Sequence, residues 1–170
     1  MSAEKPTPHE ACSHCFAIHT EADVMEVARG ARQLAERLGF NQVRAYHLAT
    51  ATSELATNLA VYAGGGTVRL RVIEDPAQPS RIGIELRVED QGPGIADLAL
   101  AMTEGFSTGA RLGCGLPGAS RLMDAFSIDS SARQGTRIRA VKWRQRAPAP
   151  TPTAHRHTAP GRLAPARTAS

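Results

Sequence analysis

Glu54 and Asn58 stand four residues apart in a stretch that reads as helix, so their side chains share one face, offset from Leu55 and Leu59. A carboxylate there can accept a proton or hold a water, and an amide oxygen is a neutral hard ligand suited to Mg²⁺. Taken alone, the pair also describes an ordinary solvated helix face. A second group, Glu89-Asp90-Gln91-Gly92-Pro93-Gly94-Ile95, directly follows a strand-like alternation. Its two glycines allow a tight turn with no Cβ in the way, so a flat ring can lie against the backbone while Asp90 accepts from an exocyclic amine. The same residues also describe a simple turn. A third stretch, 105–118, contains Gly105, Gly109, Gly113, Gly115 and Gly118 and leads into a helix start. Unsatisfied N–H groups of a helix's first turn can point at phosphates when glycine lets the ligand approach. It is not a Walker A loop, because no Gly-Lys-Ser/Thr is present. The spacing Gly113, Gly115, Gly118 lacks the preceding strand of a dinucleotide fold, and a flexible surface loop has the same composition.

The elements that must position these groups follow from periodicity. Residues 16–19 can add an edge strand. Thr20 with Asp23 makes a capping-box-like start, and Val24, Val27, Ala28, Ala31, Leu34, Ala35 and Leu38 recur at helical spacing until Gly39. A second helix is predicted over 41–62, with Leu48, Leu55, Leu59 and Tyr62 on one stripe and Gly64-Gly65-Gly66 as its stop. Two strands, around 68–73 and 82–88, are joined by a predicted six-residue hairpin loop, 75–80, with two prolines. A helical piece over 98–102, a helix over 116–125 and strands over 126–130 and 136–143 complete the order. The layer solution is an α+β two-layer sandwich, with helices on one face of a mainly antiparallel sheet.

Of the 170 residues, 20 are Lys or Arg and 16 are Asp or Glu, a formal charge of +4. Arg146, Arg156, Arg162 and Arg167, in an acid-free tail, account for that excess. The neutral remainder offers no footprint for a phosphate backbone, which argues against nucleic acid. The sequence divides into an extended N-terminus over 1–14, one domain over 15–144 and a Pro/Ala/Arg-rich tail over 145–170 that has too little to bury to stay ordered. No apolar run is long enough to span a bilayer, and the start lacks a signal peptide's apolar stretch, so the expected compartment is the cytoplasm. Three cysteines, Cys12, Cys15 and Cys114, do not form a disulfide framework. Cys12 and Cys15 with His9, His14 or His19 could supply four zinc ligands, but no second Cys pair stands at finger spacing. Cys114, close to a helix start, could be a redox-sensitive thiol, and Arg111 beside it could contact a phosphate.

Taken together and in this order, Ser53-Glu54-Leu55-Ala56-Thr57-Asn58, the Asp90 turn, the glycine stretch and Gly135-Thr136 resemble the N box and glycine boxes of the GHKL (Bergerat-fold) ATPases. The resemblance covers about residues 15–144. The wording Tyr62-Ala63-Gly64, Gly105-Phe106-Ser107-Thr108 and Gly115-Leu116-Pro117-Gly118, with Arg121-Leu122-Met123-Asp124 and Val141-Lys142-Trp143, is similar to one subgroup: serine/threonine switch kinases of bacterial stressosome-type pathways. The resemblance implies that Glu54 is the general base and that Asn58 binds the Mg²⁺ of ATP. It also implies that Asp90 takes the adenine amine, Gly92 and Gly94 pack on the base, and Thr136 assists through a water. Gly113, Gly115 and Gly118 would then hold the phosphates. The implied acceptor is a STAS-domain antagonist protein, and the implied second partner a PP2C-type phosphatase. The alternative is an anti-sigma factor or ATP-binding scaffold acting by contact.

Overall fold

The computed structural model describes residues 13–103 and 115–145. The extreme N-terminus, the stretch holding Arg111, Gly113 and Cys114, and the basic tail lie outside the described residues. Five strands, β1 (Ser13–Ile18), β2 (Gly66–Asp75), β3 (Gln78–Glu89), β4 (Ala125–Ser131) and β5 (Gly135–Trp143), form one sheet in the order β1-β2-β3-β5-β4. Every neighbouring pair is antiparallel. Even-numbered residues point to one side, where Val68, Leu70, Ile84, Leu86, Val88, Ile138 and Ala140 are buried beneath the helices. The period of two thus gives the sheet one apolar face and one open face.

Helix α1 (Glu21–Arg37) starts on the expected capping box: Asp23 N–H donates to Thr20 Oγ1, and the Asp23 carboxylate accepts from the Thr20 N–H at 2.8 Å. Val24, Val27, Ala31, Leu34 and Ala35 are its buried stripe. Gly39, at φ +77°, turns the chain into α2 (Gln42–Asn58), whose start is capped by Asn41 accepting from Arg44 N–H at 2.8 Å. The helix does not continue as α-helix to Tyr62. Residues Leu59–Ala63 form a wider π turn closed by Gly64 at φ +73°. That turn carries Tyr62 off the Leu48/Leu55/Leu59 stripe and leaves it 55% exposed, which corrects the single stripe expected from spacing.

The β2–β3 hairpin is tighter than the six-residue loop expected. The strands run to Asp75 and from Gln78, and Asp75 Oδ1 accepts the Ala77 N–H at 2.9 Å, replacing a backbone turn bond so that only Pro76 and Ala77 are needed. α3 (Leu98–Ala101) is one turn capped by Asp97. α4 (Gly115–Leu122) ends three residues earlier than its periodicity suggested, because Asp124 is claimed by β5: its carboxylate accepts the Trp143 N–H at 2.7 Å and Lys142 Nζ at 3.1 Å. Arg44 Nη1 on α2 reaches the same carboxylate at 2.9 Å. One acid thus ties α2, the end of α4 and β5 together.

Candidate functional site

The turn after β3 is built around one oxygen atom. Asp90 Oδ1 accepts the Gly92 N–H at 2.8 Å and the Thr136 N–H at 3.1 Å, while Asp90 N–H donates to the Thr136 carbonyl at 3.0 Å. This binds the turn to the start of β5 and leaves Oδ2 without a hydrogen bond among the described residues. Glycine is required where the two segments touch. A Cβ on Gly135, at φ +72°, would lie 2.1 Å from the Asp90 carbonyl oxygen, and one on Gly94, at φ +70°, would lie 2.4 Å from that of Ser131. Ser130, opposite Thr136 in the β4–β5 ladder, bonds its hydroxyl at 2.9 Å and accepts the Ile95 N–H at 2.8 Å.

A cavity of about 530 Å³ opens between this turn, the end of α2 and the start of α4. Asn58, Asp90, Gly94, Gly115 and Thr136 line it, with Val88, Ile138 and Leu116 as apolar walls and Tyr62 at the π turn. Asp97 and Leu100 of the α3 region complete the rim. Glu54 lies one turn before Asn58 and outside the lining, and its Oε2 accepts the Gly115 N–H at 3.3 Å. Gly92 packs against Ala63, where a Cβ would meet that residue's Cβ at 2.9 Å, so it shapes the turn from behind. Gly118 is buried in α4 away from the lining, and Gly113 lies outside the described residues. Four separated stretches of sequence, 54–58, 90–94, 115–118 and 136, therefore meet around one space.

The sequence reading missed Tyr62, Leu100 and Ser130. Ser130 carried a usable signal: it follows Phe126 and Ile128 at the inward parity of β4, where a hydroxyl needs a partner. For the site, Tyr62 was marked only as part of the Tyr62-Ala63-Gly64 stretch, and its place at the cavity comes from the π turn. The possible zinc set needs Cys12, which lies outside the described residues; among the described residues no group of three or more His, Cys, Asp or Glu side chains could hold a metal. Cys15 is exposed on β1; His9 and Cys12 lie outside the described residues. Among the described residues no helix is long and apolar enough to cross a membrane.

The space and its donors fit a magnesium nucleotide. The volume lies within the usual range for small-ligand pockets, apolar walls suit a base, the Asp90 carboxylate lines the space beside a glycine turn, and the start of α4 and the neutral amide of Asn58 line it too. A two-layer α+β unit with such a cavity is suited to bind a nucleotide, and comparison with known proteins agrees. Residues 17–142 match the histidine kinase-like ATPase domain, and the chain belongs to that family, the GHKL ATPases, among the serine/threonine-protein kinases similar to RsbT. RsbT of Bacillus subtilis (strain 168), a serine/threonine-protein kinase, is 46% identical over 129 residues, 76% of this chain and 95% of that protein. A chain of the SiaB-SiaC complex from Pseudomonas aeruginosa matches with a TM-score of 0.47 and 14% identity, covering 75% of this chain and 89% of that one.

Proposed function

We propose that this chain is a cytoplasmic, ATP-dependent protein serine/threonine kinase of a partner-switching pathway. In this reading it phosphorylates a STAS-domain antagonist and then engages a PP2C-type phosphatase. The observation that carries it is the convergence of Asn58, Asp90, Gly115 and Thr136 on one cavity, with the Glu54 carboxylate a single hydrogen bond from its far end. Asp90 Oδ2 would accept the adenine amine while Oδ1 stays on Gly92 and Thr136, so base recognition needs no rearrangement of the turn. Val88 and Ile138 would cover the ring faces. The N–H groups of the α4 start would meet the phosphates.

Asn58 would hold the Mg²⁺, which when bound supplies neutralisation of phosphate charge. Glu54 would take the proton of an acceptor hydroxyl. Its carboxylate is on the rigid body of α2, and release of the Gly115 N–H frees Oε2 for that role. The protein's part is thus positioning and proton removal, with little covalent chemistry of its own. Incubating the full chain with γ-labelled ATP and candidate STAS-domain proteins tests this. Label on a serine or threonine is expected; a contact regulator of the anti-sigma type leaves every candidate unlabelled.

A further inference from the structure

The face of the sheet turned away from the helices carries a row of arginines. In the strand register Arg69 lies opposite Arg87, and Arg87 opposite Arg139, so three guanidinium groups cross the three central strands side by side. Like charges directly opposite are destabilising. One carboxylate organises the group from below. Glu85, in the next row, is 1% exposed, yet Arg87 Nε donates to its Oε1 at 2.8 Å, Arg139 Nε donates to its Oε2, and Arg71 Nε lies 3.8 Å away. Arg87 and Arg139 thus spend Nε on Glu85, and Arg71 faces the same carboxylate as an ion pair. Their terminal Nη groups make no hydrogen bond among the described residues, and the side chains remain 40%, 46% and 51% exposed for Arg71, Arg87 and Arg139. Arg69 forms no ion pair among those residues. Among the described residues the result is a set of guanidinium forks, three of them anchored on Glu85, with nothing at their outer ends.

The neighbouring row is apolar and aromatic. Ile73, Gly83 and Trp143 stand opposite one another, the Trp143 ring lies over Gly83, and Arg81 stacks on that ring at 4.7 Å from its centroid. Tryptophan and arginine together are the residues that most often anchor protein contacts. On the other side the arginine row is bounded by Glu89 and Asp129, flanking Arg137. The basic area is therefore about 10 Å by 7 Å from strand and residue spacings, and a phosphate backbone running on would meet those acids. That extent fits a short acidic stretch of protein.

We propose that this outer face docks a protein partner through an acidic segment. Its carboxylates fill the forks of Arg69, Arg71, Arg87 and Arg139, and an adjoining large apolar side chain lies on Ile73 and Trp143. The nucleotide cavity lies on the opposite face of the sheet, so the partner stays docked whether or not ATP is bound.

The test uses the full chain and a short fluorescent peptide of glutamates around a central leucine and phenylalanine, with binding followed by anisotropy. Arg69→Glu is the probe variant, because Arg69 supports no described contact, and Arg29→Glu, on the exposed side of α1, is the charge-matched control. The peptide is expected to bind wild type, to bind Arg69→Glu roughly tenfold more weakly at low salt, and to bind Arg29→Glu and ATP-saturated wild type unchanged. Unmeasurable peptide binding, equal loss in both reversals, or displacement by ATP would each overturn the proposal. So would tighter binding of single-stranded DNA or anionic vesicles that Arg69→Glu abolishes, which would assign the face to polyanions instead. Unchanged thermal unfolding of Arg69→Glu ties its loss to the surface.

Discussion

Replacing Asp90 by asparagine separates two jobs of one side chain. Oδ1 holds the turn by accepting from the Gly92 and Thr136 N–H groups, and an amide oxygen can still do this. The loss is confined to charge assistance, about 1 kcal/mol, which lowers the melting temperature by about 2–6 °C for a domain of this size. The other position changes sign. Where Oδ2 would accept the adenine amine, the asparagine presents N–H, so a hydrogen bond to a charged group becomes a donor facing a donor. Losing that bond costs about 1.5–3 kcal/mol, roughly ten- to hundredfold in ATP affinity. Asp90→Ala removes both jobs: it leaves two part-buried N–H groups without an acceptor and is expected to cost about 2 kcal/mol or more in stability. Calorimetric titration with ATP and thermal unfolding of the two variants form the assay. An asparagine variant that binds ATP within twofold of wild type would refute the assignment of Oδ2. One that unfolds as readily as the alanine variant would refute the division between the two oxygens.

Glu54→Ala is expected to keep ATP affinity and lower transfer to a protein acceptor by about a hundredfold or more, measured by titration and by labelled phosphate on the acceptor. Gly135→Ala places a Cβ against the Asp90 carbonyl at a left-handed φ, so it is expected to cost about 3 kcal/mol in urea unfolding and to weaken ATP binding with it. The Asp124 carboxyl has a pH signature. Burial raises its pKa, but the Trp143 N–H and Lys142, with the nearby charge of Arg44, outweigh that and hold it below the ordinary 3.8. Its contribution is then complete above the unfolded-state value and lost as the pH falls through the lower folded one. Asp124→Asn is expected to be about 2 kcal/mol less stable than wild type near neutral pH, a gap that closes in strong acid; a gap independent of pH would contradict the ion-pair account.

The layers of the fold were legible because each element carried a local mark. Thr20 and Asp23 announced α1, Gly39 ended it, and the alternation of Val68, Leu70, Ile84 and Leu86 gave the two central strands. The site was legible as three separate weak patterns whose meaning lay in their combination, since nothing within Glu54-Leu55-Ala56-Thr57-Asn58 says that Asp90 will face it. Less visible were features set by tertiary geometry. Leu59–Ala63 has no residue that demands a π turn, and the Asp75 side chain substituted for backbone in a hairpin that counting prolines made too long. The arginine row of the outer face is invisible in one dimension, where Arg69, Arg87 and Arg139 are widely separated, and appears only with the strand register.

The widened turn at Leu59–Ala63 has a consequence for how the cavity can be tuned. Because the extra residue is absorbed after Asn58 and before Gly64, the π turn sets the direction of Tyr62 and Ala63 while the α-helix before it sets that of Glu54 and Asn58. Shortening that segment by a single residue would wind it back into ordinary helix and swing the tyrosine to a new bearing. The bearing of Tyr62 at the cavity is thus set by the π turn rather than by the helical rise that places Glu54 and Asn58.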